Sequence, residues 1–235
     1  MSALVENFDV FRSGFWVTLQ LCVLSAIGAL ILGTIVAILR ISPVPPLQWI
    51  GGTYVTLIRN CPLTIVMFFA AFALPVLGSN ADFLRIPGLT SIVGRLGTDL
   101  PYFRFAVIAL SLYTGAFVAE ALRSGVNTVP PGQAEAARAL GLSFAQNLRH
   151  VVLPQAWKAA IVPLGSVIIA MIKNSALAGF FGVVGDLSAN AVALTSAGGY
   201  PIIPVFAGIS VGYLIMTVPL GLLLDRVERR RAVLR

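Results

Sequence analysis

The sequence predicts an all-α integral membrane protein with five transmembrane helices, and three observations lead to that class. First, the 235 residues are 58% hydrophobic and only 11% charged, where soluble domains carry about 25% charged residues. The mean hydropathy is +0.93. Second, the apolar residues fall in unbroken runs, which suit helices rather than barrel strands. Third, the cations are distributed unevenly around those runs. At about 20 apolar residues per span, the chain has room for five helices and short loops but for no large soluble domain. Residues 1–235 are therefore expected to form one transmembrane domain.

The first span is expected over 15–39. It ends at Arg40 and is closed by Pro43, Pro45 and Pro46. It is longer than the apolar core of a secretory signal, and Arg12 is the only cation before it, so it reads as a retained helix. The second, over 62–77, has Pro62 suited to its first turn. It follows an interfacial elbow over Leu47 to Ile58 that leads into Arg59, Asn60 and Cys61. The third is expected over 103–122, the fourth over 159–181 and the fifth over 202–224. Gly28 and Gly33 suit close packing of the first span, and Trp16, Trp49 and Trp157 suit interfacial belts. The long stretch from Gly78 to Tyr102, with Asp82, Arg85, Arg95 and Asp99, is a candidate contact for an external partner or a lid.

Short cytoplasmic loops retain Lys and Arg. With the Glu135 region inside, the cytoplasmic side holds Arg40, Arg59, Arg123, Arg138, Arg149, Lys158, Arg226, Arg229, Arg230, Arg231 and Arg235. The other side holds Arg12, Arg85, Arg95 and Arg104, and Lys173 is left within the membrane. This asymmetry places the N-terminus outside and the C-terminus in the cytoplasm of a multi-pass plasma-membrane protein. The net charge of +7 is then mostly topology, and the basic tail after Arg226 reads as an anchor on anionic lipid rather than a nucleic-acid site.

Several chemistries are excluded. Lys158 and Lys173 follow Trp157 and Ile172, so no G-x-x-x-x-G-K-S/T phosphate loop exists. No G-x-S-x-G elbow or H-E-x-x-H pair occurs. With His150 the single histidine and Cys22 and Cys61 far apart, the usual metal ligands are missing. The chain is not expected to be an enzyme or to carry a cofactor. If ATP drives it, another subunit hydrolyses the nucleotide.

The polar island over 130–154 carries helix signals. Pro130, Pro131 and Gly132 break the chain, and Gln133 to Leu140 predicts a small helix with Glu135 in its first turn, where the dipole favours an acid. Gly141 ends it. Ser143 is a candidate cap for a second short run to His150, and Pro154 begins the fourth span. Ala136 and Ala137 offer a low surface over which a partner's groove would close.

The island, EAARALGLSFAQNLRHVVLP from Glu135 to Pro154, resembles the cytoplasmic coupling loop of ABC-importer permeases in its Glu-Ala-Ala, its Gly141 and its spacing to Pro154. YTGAFVAEALRSGVNTVPPGQ from Tyr113 resembles the stretch before that loop in polar-amino-acid permeases. LPQAWKAAIVPLGSVIIAMIKNSALAGFFG from Leu153 resembles the segment after it, and IRNCPLTIV from Ile58 resembles their block of Arg, Gly or Asn, Thr or Cys, Pro and Leu before the second span. The likeness covers nearly the whole chain and is strongest to permeases of actinobacterial glutamate-uptake systems. It implies a type I ABC importer permease fold and pairing with a second permease subunit, identical or related. It also implies two cytoplasmic ATPase subunits that bind ATP and Mg, and an external amino-acid-binding protein. Glu135, Ala136, Ala137, Gly141 and Pro154 would then couple the ATPases to the membrane helices.

Ionisable residues inside a bilayer suggest function. Lys173 lies roughly 20 Å into the fourth span at 1.5 Å per residue. With Asn174 and Ser175 it would donate to a substrate carboxylate, or else pair within the protein. Many relatives carry Asp where this chain has Asn174, which fits an anionic or neutral amino acid better than a basic one. Glu120 is the acceptor candidate for an ammonium, or a partner for Arg59 or Arg123. Asn60 and Thr64, one turn apart, would line the pathway, although capping around Pro62 explains Asn60 equally. The reading is a polar-amino-acid importer subunit, most simply for glutamate, working by alternating access. A membrane scaffold or channel-like subunit without ATP coupling is the alternative.

Overall fold

The computed structural model describes residues 6–78 and 101–232. All regular structure among the described residues is helical. Helix α1 spans Phe8–Ile41, α2 Pro45–Asn60, α3 Leu63–Val76 and α4 Pro101–Asn127. A short α5, Pro131–Ala139, precedes the long α6, Phe144–Phe181. Helices α7, Leu187–Ser196, and α8, Ile202–Ala232, complete the chain. The residues from 79 to 100 expected to meet an external partner lie outside the described set.

Helices α1, α4, α6 and α8 are long and apolar enough to cross a membrane, and the bent pair α2 and α3 makes a fifth span if counted as one. Their axes turn by 102° at Cys61 and Pro62. Pro62 cannot continue α2, so it stands before Leu63 in an extended conformation, with φ −60° and ψ 135°, rather than inside the first turn.

The fourth span departs most from expectation. The sequence predicts a short helical run to His150 and then a separate span, begun by Pro154 and apolar over 159–181, yet the helix runs unbroken from Phe144 through a π turn, Leu148–Val152, into Leu153–Asn174 and a terminal 3-10 turn, Ser175–Phe181. In the π turn the Leu153 N–H reaches back to the Leu148 carbonyl. Helix α3 repeats the device: Leu74 N–H reaches Phe69 O across Phe69–Ala73. In both cases a proline follows at once, Pro154 or Pro75. A proline ring collides with the carbonyl four residues back, and one widened turn relieves the clash without breaking the helix.

The centre of the bundle is the α1–α4 contact. Leu21, Phe105, Ala109 and Leu110 are buried in one cluster, and Val36, Ala37, Ala116 and Ala119 in another with Val55 of α2. Small residues permit the approach: a Cβ on Gly33 would sit 2.5 Å from Val118 side-chain carbons and 2.7 Å from the Gly115 carbonyl. The outward faces of α6 and α8 stay apolar, including Trp157, Phe206 and Leu222.

Candidate functional site

The polar loop is built as a rigid unit. Pro131 is itself helical, so α5 begins two residues earlier than expected and Glu135 falls beyond the first turn. Gly141, at φ +86°, makes the left-handed reversal that few other residues tolerate. Ser143 caps the next turn in a reciprocal box with Gln146, donating its N–H to Gln146 Oε1 at 2.9 Å and accepting the Gln146 N–H on Oγ at 3.4 Å. Buried Asn147 donates to the Ala134 carbonyl at 2.8 Å, and Gln155 Nε2 donates to Gln133 Oε1 at 2.6 Å. These bonds strap α5 to the start of α6.

The exposed surface of this unit differs from the expected one. Glu135 and Ala136 face out, but Ala137 is 5% exposed and packs inward, because successive helical residues point about 100° apart. Its role is to seat α5, not to meet a groove. Leu140, at 82% exposure, and Phe144 form the apolar part of the outer face. Their signal was available: large apolar residues on either side of the Gly141–Ser143 turn in a stretch too polar to be a span.

Lys173, Asn174 and Ser175 do not share a surface. Lys173 stands exposed in the last α-helical turn of α6 and makes no ion pair among the described residues. Asn174 is half-buried. Ser175 is fully buried, donating to the Ile172 carbonyl at 2.7 Å and accepting from the Cys22 thiol at 3.3 Å. Adjacent residues on a helix cannot face one ligand together, and the serine hydroxyl is already used.

Glu120 is held by arginines. Its Oε1 accepts from Arg40 and its Oε2 lies 3.4 Å from Arg59 Nη1, while the Arg59 guanidinium sits 5.5 Å from the Phe117 ring centroid. The ends of α1 and α2 are thereby tied to α4. The sequence reading named Arg59 or Arg123 as partner; Arg40 is the unforeseen one. Asn60 caps its own helix, donating to Thr56 O at 2.8 Å. The 102° bend puts Asn60 and Thr64 on different axes, so they do not share one helical face.

A second polar group, not anticipated as a cluster from the sequence, lies at the far end of α6. Asp186, Ser188, Thr18 and Ser175 are all buried there.

Residues 29–232 match the family described as binding-protein-dependent transport system inner membrane component. The glutamate transport system permease protein GluC of Corynebacterium efficiens is 45% identical over 222 residues, 93% of this chain and 92% of that protein. The probable glutamine ABC transporter permease protein GlnM of Bacillus subtilis is 37% identical over 98% of this chain and 97% of its own. Among solved structures, an amino acid ABC transporter crystallised with histidines superposes with a TM-score of 0.79 at 30% identity, covering 97% of this chain and 96% of that one. The inward-facing MetNI methionine ABC transporter superposes at 0.73 over 96% and 97% of the two chains, and at 21% identity it is a likeness of fold.

Proposed function

The chain belongs to the binding-protein-dependent transport system inner membrane components, and from that premise we propose that it carries glutamate inward as the permease subunit of an ATP-driven importer. The observation that carries the substrate is its 45% identity, over nearly its full length, to a glutamate transport system permease. The arrangement of α5 and α6 supplies a mechanism. The loop is strapped to α6, and α6 runs without a break from Phe144 past Lys173, roughly 45 Å at 1.5 Å per residue. A displacement imposed at Leu140 and Phe144 therefore moves Lys173.

In this reading two cytoplasmic ATPase subunits bind ATP and Mg and dock on Glu135, Ala136, Leu140 and Phe144. A second permease subunit completes the membrane pathway, and an external binding protein delivers the amino acid. The N-terminus is outside and the C-terminus cytoplasmic. Lys173, a cation without an ion pair among the described residues, meets a substrate carboxylate, while half-buried Asn174 lies on a different face. Ser175 serves the packing of α6 on α1 instead.

The test is ATP hydrolysis by the purified complex in lipid, with its binding protein, titrated against a panel of amino acids. Stimulation by glutamate is expected, and Lys173→Ala should weaken it selectively. Stimulation by another amino acid alone overturns the substrate, equal loss for every amino acid overturns the role of Lys173, and absence of any associated ATPase returns the scaffold reading.

A further inference from the structure

At the end of α6 away from the loop, polar side chains from four elements meet in one seam, all but the half-buried Tyr213 being buried. Asp186, with no exposed surface, caps α7: its Oδ1 accepts the Ala189 N–H at 2.7 Å. Its Oδ2 is buried without a hydrogen-bond partner. Gly179 closes over the carboxyl so tightly that a Cβ there would lie 2.5 Å from Oδ1. From α1, Thr18 Oγ1 accepts the Leu187 N–H at 3.0 Å, and the Cys22 thiol bonds Ser175 Oγ. From α8, Tyr213 OH lies 3.2 Å from Ser188 Oγ.

The titratable groups that face Asp186 are Cys22 on α1 and Tyr213 on α8. Neither supplies a positive charge. Arg12, near this end of α1, is exposed and paired with Asp9 at 3.1 Å, and Asp186 makes no ion pair among the described residues. A carboxylate buried without a cation is far costlier than a buried neutral acid. Burial raises the Asp186 carboxyl from the ordinary carboxylate range to about 7, against the pull of the Ala189 and Ser188 N–H donors.

We propose that Asp186 is a proton-binding site: with its proton it keeps the seam of α1, α6, α7 and α8 packed, and the seam opens as the proton leaves. In that step the carboxylic O–H bond breaks, its electron pair stays on the carboxylate, and the proton passes to water entering the seam. Closure reverses it. The assignment of opening to transport rests on the importer reading; the proton site does not. The sign follows from linkage. The packed state holds the proton more tightly than the solvated one, so its advantage is complete below about pH 4 and falls as the pH rises towards 7. Above that it stays level.

Cys22 is a built-in reporter, buried when the seam is closed. In a Cys61→Ser background, the full chain in native membranes is reacted with a permeant maleimide, alongside the same chain carrying Asp186→Asn. The amide keeps the capping oxygen and stays neutral. Dividing one rate by the other removes the ordinary rise of thiolate with pH. The ratio is expected to climb about 50-fold between about pH 5 and about pH 7, and to level off after about a further twofold. If the Asn variant does not accumulate, Asp186→Ser retains a capping oxygen and takes its place. A ratio constant across the range overturns the proposal, as does complete protection of Cys22 in both chains at every pH. A climbing ratio in a complex that no amino acid stimulates keeps the proton site and removes the importer.

Discussion

The two ends of α6 are held by opposite means. At the Phe144 end, exposed polar groups and the buried Asn147 exchange hydrogen bonds across a short loop, and the nearby acid, Glu120, sits between two arginines. At the Ser175 end, hydroxyls, a thiol and an acid are buried without an ion pair among the described residues. The first end is wired to stay as one piece while something pushes on it. The second is poised, because a buried acid with an unmet oxygen is stable in one protonation state only. On the proposed reading, one helix joins a stiff handle to a seam that opens.

The handle is broken most directly at Gly141. Nothing lies within 4 Å of a Cβ placed there, so space is not the obstacle; the positive φ of 86° is. Gly141→Val imposes about 1–2 kcal/mol of backbone strain and turns Leu140 and Phe144 away from each other. Coupled uptake should fall at least about tenfold, while membrane insertion, followed by fractionation, should not change. Uptake at the level of the natural chain would mean that the loop is not the handle.

Glu120→Gln probes the ion pairs behind it. The Arg40 side chain is 13% exposed and that of Arg59 44%, so Arg40 loses more when the carboxylate goes. The expected loss is about 1–3 kcal/mol, between a surface pair and a buried one, seen as a lower unfolding midpoint in detergent. Arg40→Gln should cost more than Arg59→Gln. The reverse order would place the main contact on α2 instead of α1. Asn147→Ala, which removes the bond to Ala134 O, should cost about 1 kcal/mol and lower uptake a few-fold without changing which amino acid is preferred. A changed preference would mean that the loop shapes the substrate site directly.

The helices were legible because membrane spans announce themselves as apolar runs, and the loop because Pro130, Gly141 and Ser143 punctuate it. Continuity was not legible: the sequence marks a short helical run to His150 and a fresh start at Pro154, and only the π turn before Pro154 shows how one helix persists through both. Side-chain direction was equally hidden. Neighbours in sequence such as Lys173 and Ser175 part company on a helix, and a bend at Pro62 separates Asn60 from Thr64. The pairing of Arg40 with Glu120 joins residues 80 apart, which no local pattern encodes. Asp186 reads locally as a helix cap before Leu187; that the cap is buried depends on α1, α6 and α8 closing round it.

The smallest effect sharpens the contrast between the ends. Ser143→Ala removes one half of the capping box and leaves the Gln146 N–H without its side-chain acceptor. Water reaches this exposed turn and replaces the lost bond, so the cost should be about 0.5–1 kcal/mol, with uptake reduced less than for Asn147→Ala. Ser175→Ala removes a hydroxyl of the same kind at the other end, but there the Cys22 thiol loses its acceptor in a buried seam, where an unmet group costs about 1–3 kcal/mol. The two serine variants, compared by unfolding midpoint, should therefore differ clearly, with Ser175→Ala the less stable. Equal midpoints would mean that water already reaches the Ser175 seam, and the distinction between a solvated handle and a dry, poised seam would fail.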